Sequence, residues 1–244
     1  MSNTLIVIPV RMASKRFPGK PLVLIEEKTM LEHVVDRAIE SKVGDVLVAC
    51  CDKEIKNLME KRKIKYVMTN KKLISGTDRV FSAYNSFKNK KKYENIINLQ
   101  GDVPFINCNH ISKLHSLIKG ELMEIATLVS EIKSKKKISD VNIVKTIISK
   151  HKKKYYKALY FSRLPVPFNS NKYYEHVGIY AYTIKALKKF VSLGRSNLEE
   201  QENLEQLRAL DNNMDIIVAK IKKAPISIDT PEDLILLNKS RDKK

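Results

Sequence analysis

Cysteine is scarce in this 244-residue chain. Cys50, Cys51 and Cys108 are too few and wrongly spaced for a disulfide framework or a CxxC-type zinc site. Their expected place is among the small apolar side chains of a core, in a reducing compartment. Long apolar runs are also lacking. The opening MSNTLIVIPVRM has no basic region ahead of its apolar run, and that run is too short for a signal peptide or a spanning helix. A secreted, membrane-embedded or disulfide-built protein is therefore not expected. No internal repeat, no linker rich in glycine, serine or proline and no clean domain boundary marks the chain.

Arginine is the other scarcity. Lysine and arginine total 46 against 27 aspartates and glutamates, a net charge of +19, yet only nine of the cations are arginine. Such an excess raises the question of nucleic acid or an anionic membrane. The lysines, however, gather in runs, KNKKK (88–92), KSKKK (133–137) and KHKKK (150–154), placed between apolar segments where loops and helix ends fall. No aromatic residues interleave them as stacking platforms, and no RNP-like, KH-like or zinc-finger pattern accompanies them. They read as solvated surface, so neither nucleic acid nor membrane insertion is expected. The arginines inform more, because five of the nine lie inside the motifs described below.

What is present is ordinary globular material: 43% hydrophobic and 30% charged residues, enough to bury a core in one large domain or one domain with a small lobe. Through the first half, short apolar runs alternate with helical patterns. LIVIP (5–9), VLVAC (46–50), YVMT (66–69) and NIINL (95–99) read as buried strands. Helices are predicted at 30–39, 53–62 and 78–87. Strands buried on both faces and separated by helices indicate an α/β fold with a parallel sheet. The second half is more β-rich, with strand-like segments at 125–132, 142–148, 158–162 and 176–183. Helices are expected at 184–192 and 198–212, a strand at 215–221 and a terminal helix after Pro231.

Three loops could carry chemistry. The first strand ends in PVRMASKRFPGKPL (9–22), where ligands of open α/β sheets bind. It sets Arg11, Lys15, Arg16 and Lys20 among the small residues Ala13, Ser14 and Gly19, a composition suited to wrapping a polyphosphate. It matches neither GxGxxG nor GxxxxGK[ST], which disfavours dinucleotide and Walker-type readings. The second loop, LQGDVPFI (99–106), puts Asp102 at a strand's carboxyl end on the same edge. Alone it is a turn former; facing a phosphate loop it becomes a Mg²⁺ ligand candidate. In the third, SIDTPEDL (227–234), Thr230, Pro231 and Asp233 make a helix start. That leaves Asp229 unexplained, and it is the second metal-ligand candidate.

Taken together, RxxSxRxPGKPL, SGTDR (75–79), QGDxP (100–104), YFSR (160–163), HVGIYAY (176–182), LEQLRAL (204–210) and DTPEDL (229–234) resemble the 3-deoxy-manno-octulosonate cytidylyltransferase family. The motifs run in family order and cover nearly the whole chain. The resemblance implies a three-layer α/β/α nucleotide-sugar transferase fold, with a mostly parallel sheet and a small β-rich insertion. It implies a single domain, 1–244, with that lobe at roughly 125–182. The implied activity moves CMP from CTP to Kdo, an eight-carbon acid sugar of lipopolysaccharide, with release of pyrophosphate. Mg²⁺ as cofactor, a cytoplasmic location and a homodimer are implied too. Carried over by motif, Arg11, Ser14, Arg16 and Lys20 would bind CTP phosphates, and Ser75, Gly76 and Thr77 would help hold the nucleotide. Asp102 and Asp229 would hold magnesium, with Lys20 and Arg16 offsetting developing charge. Arg79, Gln100, Arg163, His176, Tyr180, Glu205 and Gln206 would contact the sugar.

The chain also departs from that family's pattern. Val103 stands where QGDEP usually has glutamate, and Glu175 where a basic residue usually precedes the histidine. The segment LPVPFNSNKYYE (164–175) is short. An 8-amino-Kdo or another 3-deoxy acid such as sialic acid is the alternative substrate. CMP-sialic acid synthetases share a similar first loop, but more often carry a Lys-Asn pair where this chain reads Gly19-Lys20-Pro21-Leu22, and they lack the QGD signature. A basic RNA- or membrane-binding protein on a degenerate transferase fold is the remote alternative. It gives no reason for Asp102, Asp229 and the arginines to stand in motif register.

Overall fold

A computed structural model describes residues 3–14, 16–119, 124–152 and 155–241. Lys15 and part of the 150–154 lysine run lie outside the described residues. The chain divides into two compact units. The first comprises Met1–Tyr93, Asn98–Ile111 and Pro225–Lys244, and the second Glu94–Ile97 and Ser112–Ala224.

In the first unit the strand Thr4–Pro9 is buried along its whole length. It pairs in parallel with Asp45–Cys50, Leu5 opposite Asp45 through Pro9 opposite Ala49. That strand pairs in parallel with Tyr66–Met68. Burial on both faces explains why Thr4–Pro9 and the Leu47–Cys50 stretch appear in the sequence as unbroken apolar runs, whereas Tyr66–Met68 is partly exposed. The helix Met30–Glu40 buries Met30, Leu31, Val34, Val35 and Ala38 on one face, and a reciprocal capping box between Thr29 and Glu32 starts it. Lys53–Lys61 buries Ile55 and Met59. Gly76–Ser86 starts from a second capping box, Ser75 with Asp78. The terminal helix Pro231–Arg241 follows Thr230, whose hydroxyl accepts from the Asp233 N–H at 3.4 Å. A small apolar core of Ile25, Met30, Ile228 and Leu237, flanked by Phe17, Phe105 and Leu234, lies beneath all three candidate loops and contains a side chain from each.

In the second unit Ile125–Ile132 pairs antiparallel with Tyr173–Thr183 and parallel with Ile216–Ile221. Ile216–Ile221 also pairs antiparallel with Tyr155–Ser162, which pairs antiparallel with Lys145–Lys152. The parallel pattern of the first unit thus gives way to mainly antiparallel pairing, as the more mixed second-half sequence suggests. The helix Ile184–Ser192 is capped by the Thr183 hydroxyl.

Several local features differ from expectation. The single helix expected at 198–212 is two helices, Asn197–Glu202 and Leu207–Asp211, because Asn203 adopts a left-handed conformation with φ 52°. The strand expected to begin at 142 begins at Lys145. Asn142 N–H donates to Asp140 Oδ1 at 2.9 Å and keeps the chain in a turn. A helix at Cys108–Ile118 was not anticipated, although Ile111, Leu114, Leu117 and Ile118 form its buried stripe. Among the described residues no helix is long and apolar enough to cross a membrane.

Candidate active site

The first loop folds back on a single peptide group. Ser14 N–H and Gly19 N–H both donate to the Met12 carbonyl, at 2.9 and 3.0 Å. Gly19 takes φ 73°, a left-handed backbone that glycine adopts without strain. Met12 N–H donates to Asp52 Oδ2 at 2.9 Å. Asp52 occupies the N-cap of Lys53–Lys61 without capping it. Its carboxylate instead anchors the loop, a role the sequence does not announce. After Gly19 a short 3₁₀ turn, Lys20–Leu22, turns Lys20 inward.

Lys20 Nζ is the meeting point. It donates to Asp102 Oδ2 at 3.0 Å, to Asp229 Oδ1 at 3.2 Å and to the Ile228 carbonyl at 3.0 Å. Arg16 reaches the same Asp229 oxygen at 3.0 Å. Ile228 N–H donates to the Asp102 carbonyl at 2.9 Å, so the QGD loop and the DTPEDL loop are joined through their backbones as well. Gly101 sits so close beneath the first strand that a Cβ there would lie 2.4 Å from Val10 Cγ1. That crowding is why glycine must precede Asp102.

A cleft of about 390 Å³ opens beside this cluster. Arg11, Ser14, Arg16, Lys20, Ser75, Gly76, Arg79, Gln100 and Asp102 line it, all drawn from the candidate set. Arg11 is exposed and makes no hydrogen bond or ion pair among the described residues. Arg79 is 3% exposed and bonds only the Thr69 hydroxyl and the Asn70 carbonyl, with no acidic partner among the described residues. A buried guanidinium without a carboxylate is costly unless an anion completes it. Thr77 does not reach the cleft. It is buried, and its hydroxyl accepts from Asn98 Nδ2 at 3.3 Å, while Asn98 Oδ1 accepts from Gln100 Nε2 at 2.9 Å. Apolar residues missing from the candidate set also line the cleft, namely Leu73, Ile74, Val10, Pro9 and Pro21.

The remaining candidates lie in the second unit. His176, Tyr180 and Tyr182 continue a row of rings that runs from Phe161 to Phe190, with centroids 5.0 to 6.1 Å apart. Between Val177 and Tyr180 the pairing with Ile125–Ile132 bulges, and Thr127 points its hydroxyl into the gap. That hydroxyl donates to the carbonyls of Val177 and Ile179, at 3.1 and 2.9 Å. It must then accept from His176 Nε2, 3.1 Å away, which leaves Nδ1 as the acceptor. Burial pushes the His176 imidazole down to about 3 and raises the Tyr180 phenol well above its ordinary value. Arg163 spends its guanidinium on the carbonyls of Glu202, Val141 and Asn203. Glu205 and Gln206 occupy the turn between the two short helices. Gln206 is 8% exposed, and its Nε2 has no hydrogen-bond partner among the described residues.

The comparisons with known proteins agree with one another. A family described as Cytidylyltransferase matches residues 5–216. A 3-deoxy-manno-octulosonate cytidylyltransferase of Bartonella bacilliformis is 41% identical over 94% of this chain and 95% of its own. Another from Thermodesulfovibrio yellowstonii is also 41% identical, over 97% of each. A solved CMP:2-keto-3-deoxy-manno-octonic acid synthetase complexed with CTP superposes with a TM-score of 0.90, at 33% identity over 99% of both chains. The chain belongs to the 3-deoxy-manno-octulosonate cytidylyltransferase family. It is a nucleotidyltransferase, and it has the α/β nucleotidyltransferase fold that the motifs imply. Two departures from the usual motifs of 3-deoxy-manno-octulosonate cytidylyltransferases are locally satisfied. Val103 is buried, at 6% exposure, and Glu175 pairs with Lys137 at 3.3 Å.

Proposed function

We propose that this chain transfers CMP from CTP to the anomeric C2 hydroxyl of Kdo, releasing pyrophosphate, and that its two compact units act as one cytidylyltransferase domain. The observation that carries the reading is the convergence of Asp102 and Asp229, 82 and 209 residues from Lys20 in sequence, on one ammonium beside a cation-lined cleft.

Magnesium fits this cluster. Both carboxylates offer hard oxygen donors, and each already meets the same cation, Lys20 Nζ. Among the described residues no third His, Cys, Asp or Glu joins them, which suits an ion that keeps positions for substrate phosphates and water. When bound, Mg²⁺ supplies neutralisation of phosphate charge. Lys20 and Arg16, no longer needed by the carboxylates, would turn to phosphate oxygens and offset the charge that develops as the bond to pyrophosphate breaks. Arg11 would meet the outer phosphates. The Ser75 oxygen already accepts from Asp78 N–H, so its proton is the atom left to donate to the nucleotide. Arg79 supplies a desolvated guanidinium for the Kdo carboxylate, an acceptor whose planar shape matches the guanidinium fork. Gln100, Arg163, His176, Tyr180, Glu205 and Gln206 would contact the sugar, with His176 Nδ1 accepting and Gln206 Nε2 donating to hydroxyls. Attack by the C2 hydroxyl on the α-phosphorus forms the new P–O bond, pyrophosphate leaves, and the hydroxyl proton passes to solvent. Positioning supplies most of the catalysis.

A homodimer working in the cytoplasm on lipopolysaccharide precursors belongs to the same proposal. The departures Val103 and Glu175, with the short segment 164–175, give a second reading its foothold, namely 8-amino-Kdo or another 3-deoxy acid such as sialic acid. The deciding experiment measures pyrophosphate release from CTP and Mg²⁺ with each acid sugar offered separately. The highest kcat/KM is expected with Kdo. No turnover with any 3-deoxy acid would sink the proposal.

A further inference from the structure

The reaction leaves one buried ion pair unused. Glu199 and Arg208 are 4% and 6% exposed. They meet in a two-pronged contact, Nε to Oε2 at 2.8 Å and Nη2 to Oε1 at 2.7 Å. One belongs to Asn197–Glu202 and the other to Leu207–Asp211, so the pair closes the turn that holds Glu205 and Gln206. The Glu199 carbonyl accepts Leu204 N–H at 3.2 Å from the same turn.

Arg208 has two further contacts that point beyond simple bracing. Its Nη2 lies 3.9 Å from Glu205 Oε1. Its guanidinium also covers the Phe190 ring at 4.8 Å, and Phe190 ends the row that passes through Tyr182 and Tyr180 to His176. One side chain therefore ties the Glu205–Gln206 turn to the elements that carry Tyr180 and His176. Stability alone is a weak reason for such a pair, since well-packed apolar residues of similar volume often serve a buried site as well or better. What apolar residues cannot reproduce is the fixed fork-to-carboxylate geometry.

Resting on the sugar-contacting role proposed above, we propose that Glu199 and Arg208 are a positioning pair for the acceptor sugar. They hold the backbone of Glu205 and Gln206 in one arrangement and lock it to the His176–Tyr180 row. Neither residue touches a reacting atom.

The test compares wild type, the double variant Glu199→Leu/Arg208→Met and the single variant Arg208→Lys, assayed with CTP and Kdo and checked by thermal unfolding. The double variant also gives up the contact of Ser196 N–H with Glu199 Oε2, 3.4 Å long. It should stay folded with a modestly lower thermal midpoint, while KM for Kdo rises roughly 10-fold or more, the scale seen when a supporting shell is removed. KM for CTP should stay at the wild-type value. Arg208→Lys, which keeps the charge but loses the fork, should fall between. A folded double variant with wild-type KM for Kdo overturns the proposal. Should the double variant not fold, Arg208→Lys decides on the same readout, an unchanged KM for Kdo being the adverse result. Should wild type itself fail to use Kdo, the acceptor reading falls, and the pair is then judged by amide hydrogen exchange over 203–206. Faster exchange in Arg208→Lys at unchanged global stability supports the clamp, and unaltered protection overturns it.

Discussion

Lys20 Nζ stands 3.0 Å from Asp102 Oδ2, with side-chain exposures of 14% and 25%. The lysine thereby keeps together two loops that would otherwise present like charges to each other. Lys20 meets both carboxylates at once, whereas Arg16 pairs with Asp229 alone. Lys20→Ala should lower kcat about 100-fold or more, the usual cost of losing one donor to developing charge. Asp102→Asn and Asp229→Asn should be equally damaging and should weaken the response of turnover to added Mg²⁺. Pyrophosphate release across a Mg²⁺ titration, with thermal unfolding to confirm folding, measures both. Near-normal turnover in both aspartate variants would refute the carboxylate assignment.

Gly101 places Asp102 by having no side chain. A methyl group there would lie 2.4 Å from Val10 Cγ1, closer than packed carbons allow, and the first strand cannot retreat because it is buried along its length. Gly101→Ala should therefore cost about 1–3 kcal/mol in urea unfolding, as overpacked sites do. It should also lower kcat by shifting the Asp102 carboxylate. Full stability together with full activity would show that the QGD loop tolerates the methyl group.

Asp52 lies outside every motif quoted above, yet it holds Met12, whose carbonyl closes the 9–22 loop. Asp52→Ala should raise KM for CTP roughly 10-fold, the equivalent of losing one hydrogen bond to a charged acceptor. Asp52→Asn retains an oxygen facing Met12 N–H and should stay within a few-fold of wild type. Equal KM values for CTP in the two variants would exclude the anchoring role.

The lysine excess tests the opposite way. Lys90, Lys91 and Lys92 form a 3₁₀ turn on the surface, with Lys92 paired to Asp45 at 2.6 Å. Neutralising all three should leave kcat and both KM values unchanged, since exposed charges contribute little beyond their immediate partners. A loss of turnover that tracks ionic strength would instead give the surplus charge a steering role.

The sequence shows the parallel half well because strands buried on both faces are continuous apolar runs, and loops at their ends take whatever chemistry the site needs. Thr4–Pro9 and Asp45–Cys50 are recognisable for that reason, as are Lys20, Asp102 and Asp229. What stayed hidden depends on partners far along the chain. Asp52 has the signature of a helix cap and shows its function only when Met12 is 2.9 Å away. Asn98 sits in an apolar strand, and its amide makes sense only between Thr77 and Gln100. The break at Asn203 is a local backbone event inside an otherwise helical pattern, one that helical periodicity cannot register. The three carbonyls that fix the Arg163 guanidinium, those of Glu202, Val141 and Asn203, likewise come from parts of the chain 22 to 40 residues away.

His176 gives stability a pH dependence of defined sign. Burial holds its imidazole at about 3 in the native state, against 6.5 for the ordinary side chain. Below pH 6.5 the unfolded chain takes up a proton that the native protein does not, so the free energy of unfolding must fall as pH falls. The slope contributed is one proton, at most about 1.4 kcal/mol per pH unit. His115, also lowered by burial, adds in the same direction. The carboxylates of Glu32 and Asp36 are held below their ordinary values of 4.5 and 3.8, mainly by hydrogen bonds from Thr29, Lys28 and Arg62 that outweigh burial. Their stabilisation is present above those values and is lost only as pH drops through the lower native ones. Between pH 5 and 6.5 the histidines therefore act without interference from these carboxylates. Urea unfolding of wild type and His176→Asn across that window should show the variant with a slope smaller by about half a proton at its upper end, growing to nearly one proton at its acid end. Parallel slopes would mean that the ring takes its proton in the folded state, and that the Thr127 contact does not enforce a neutral imidazole.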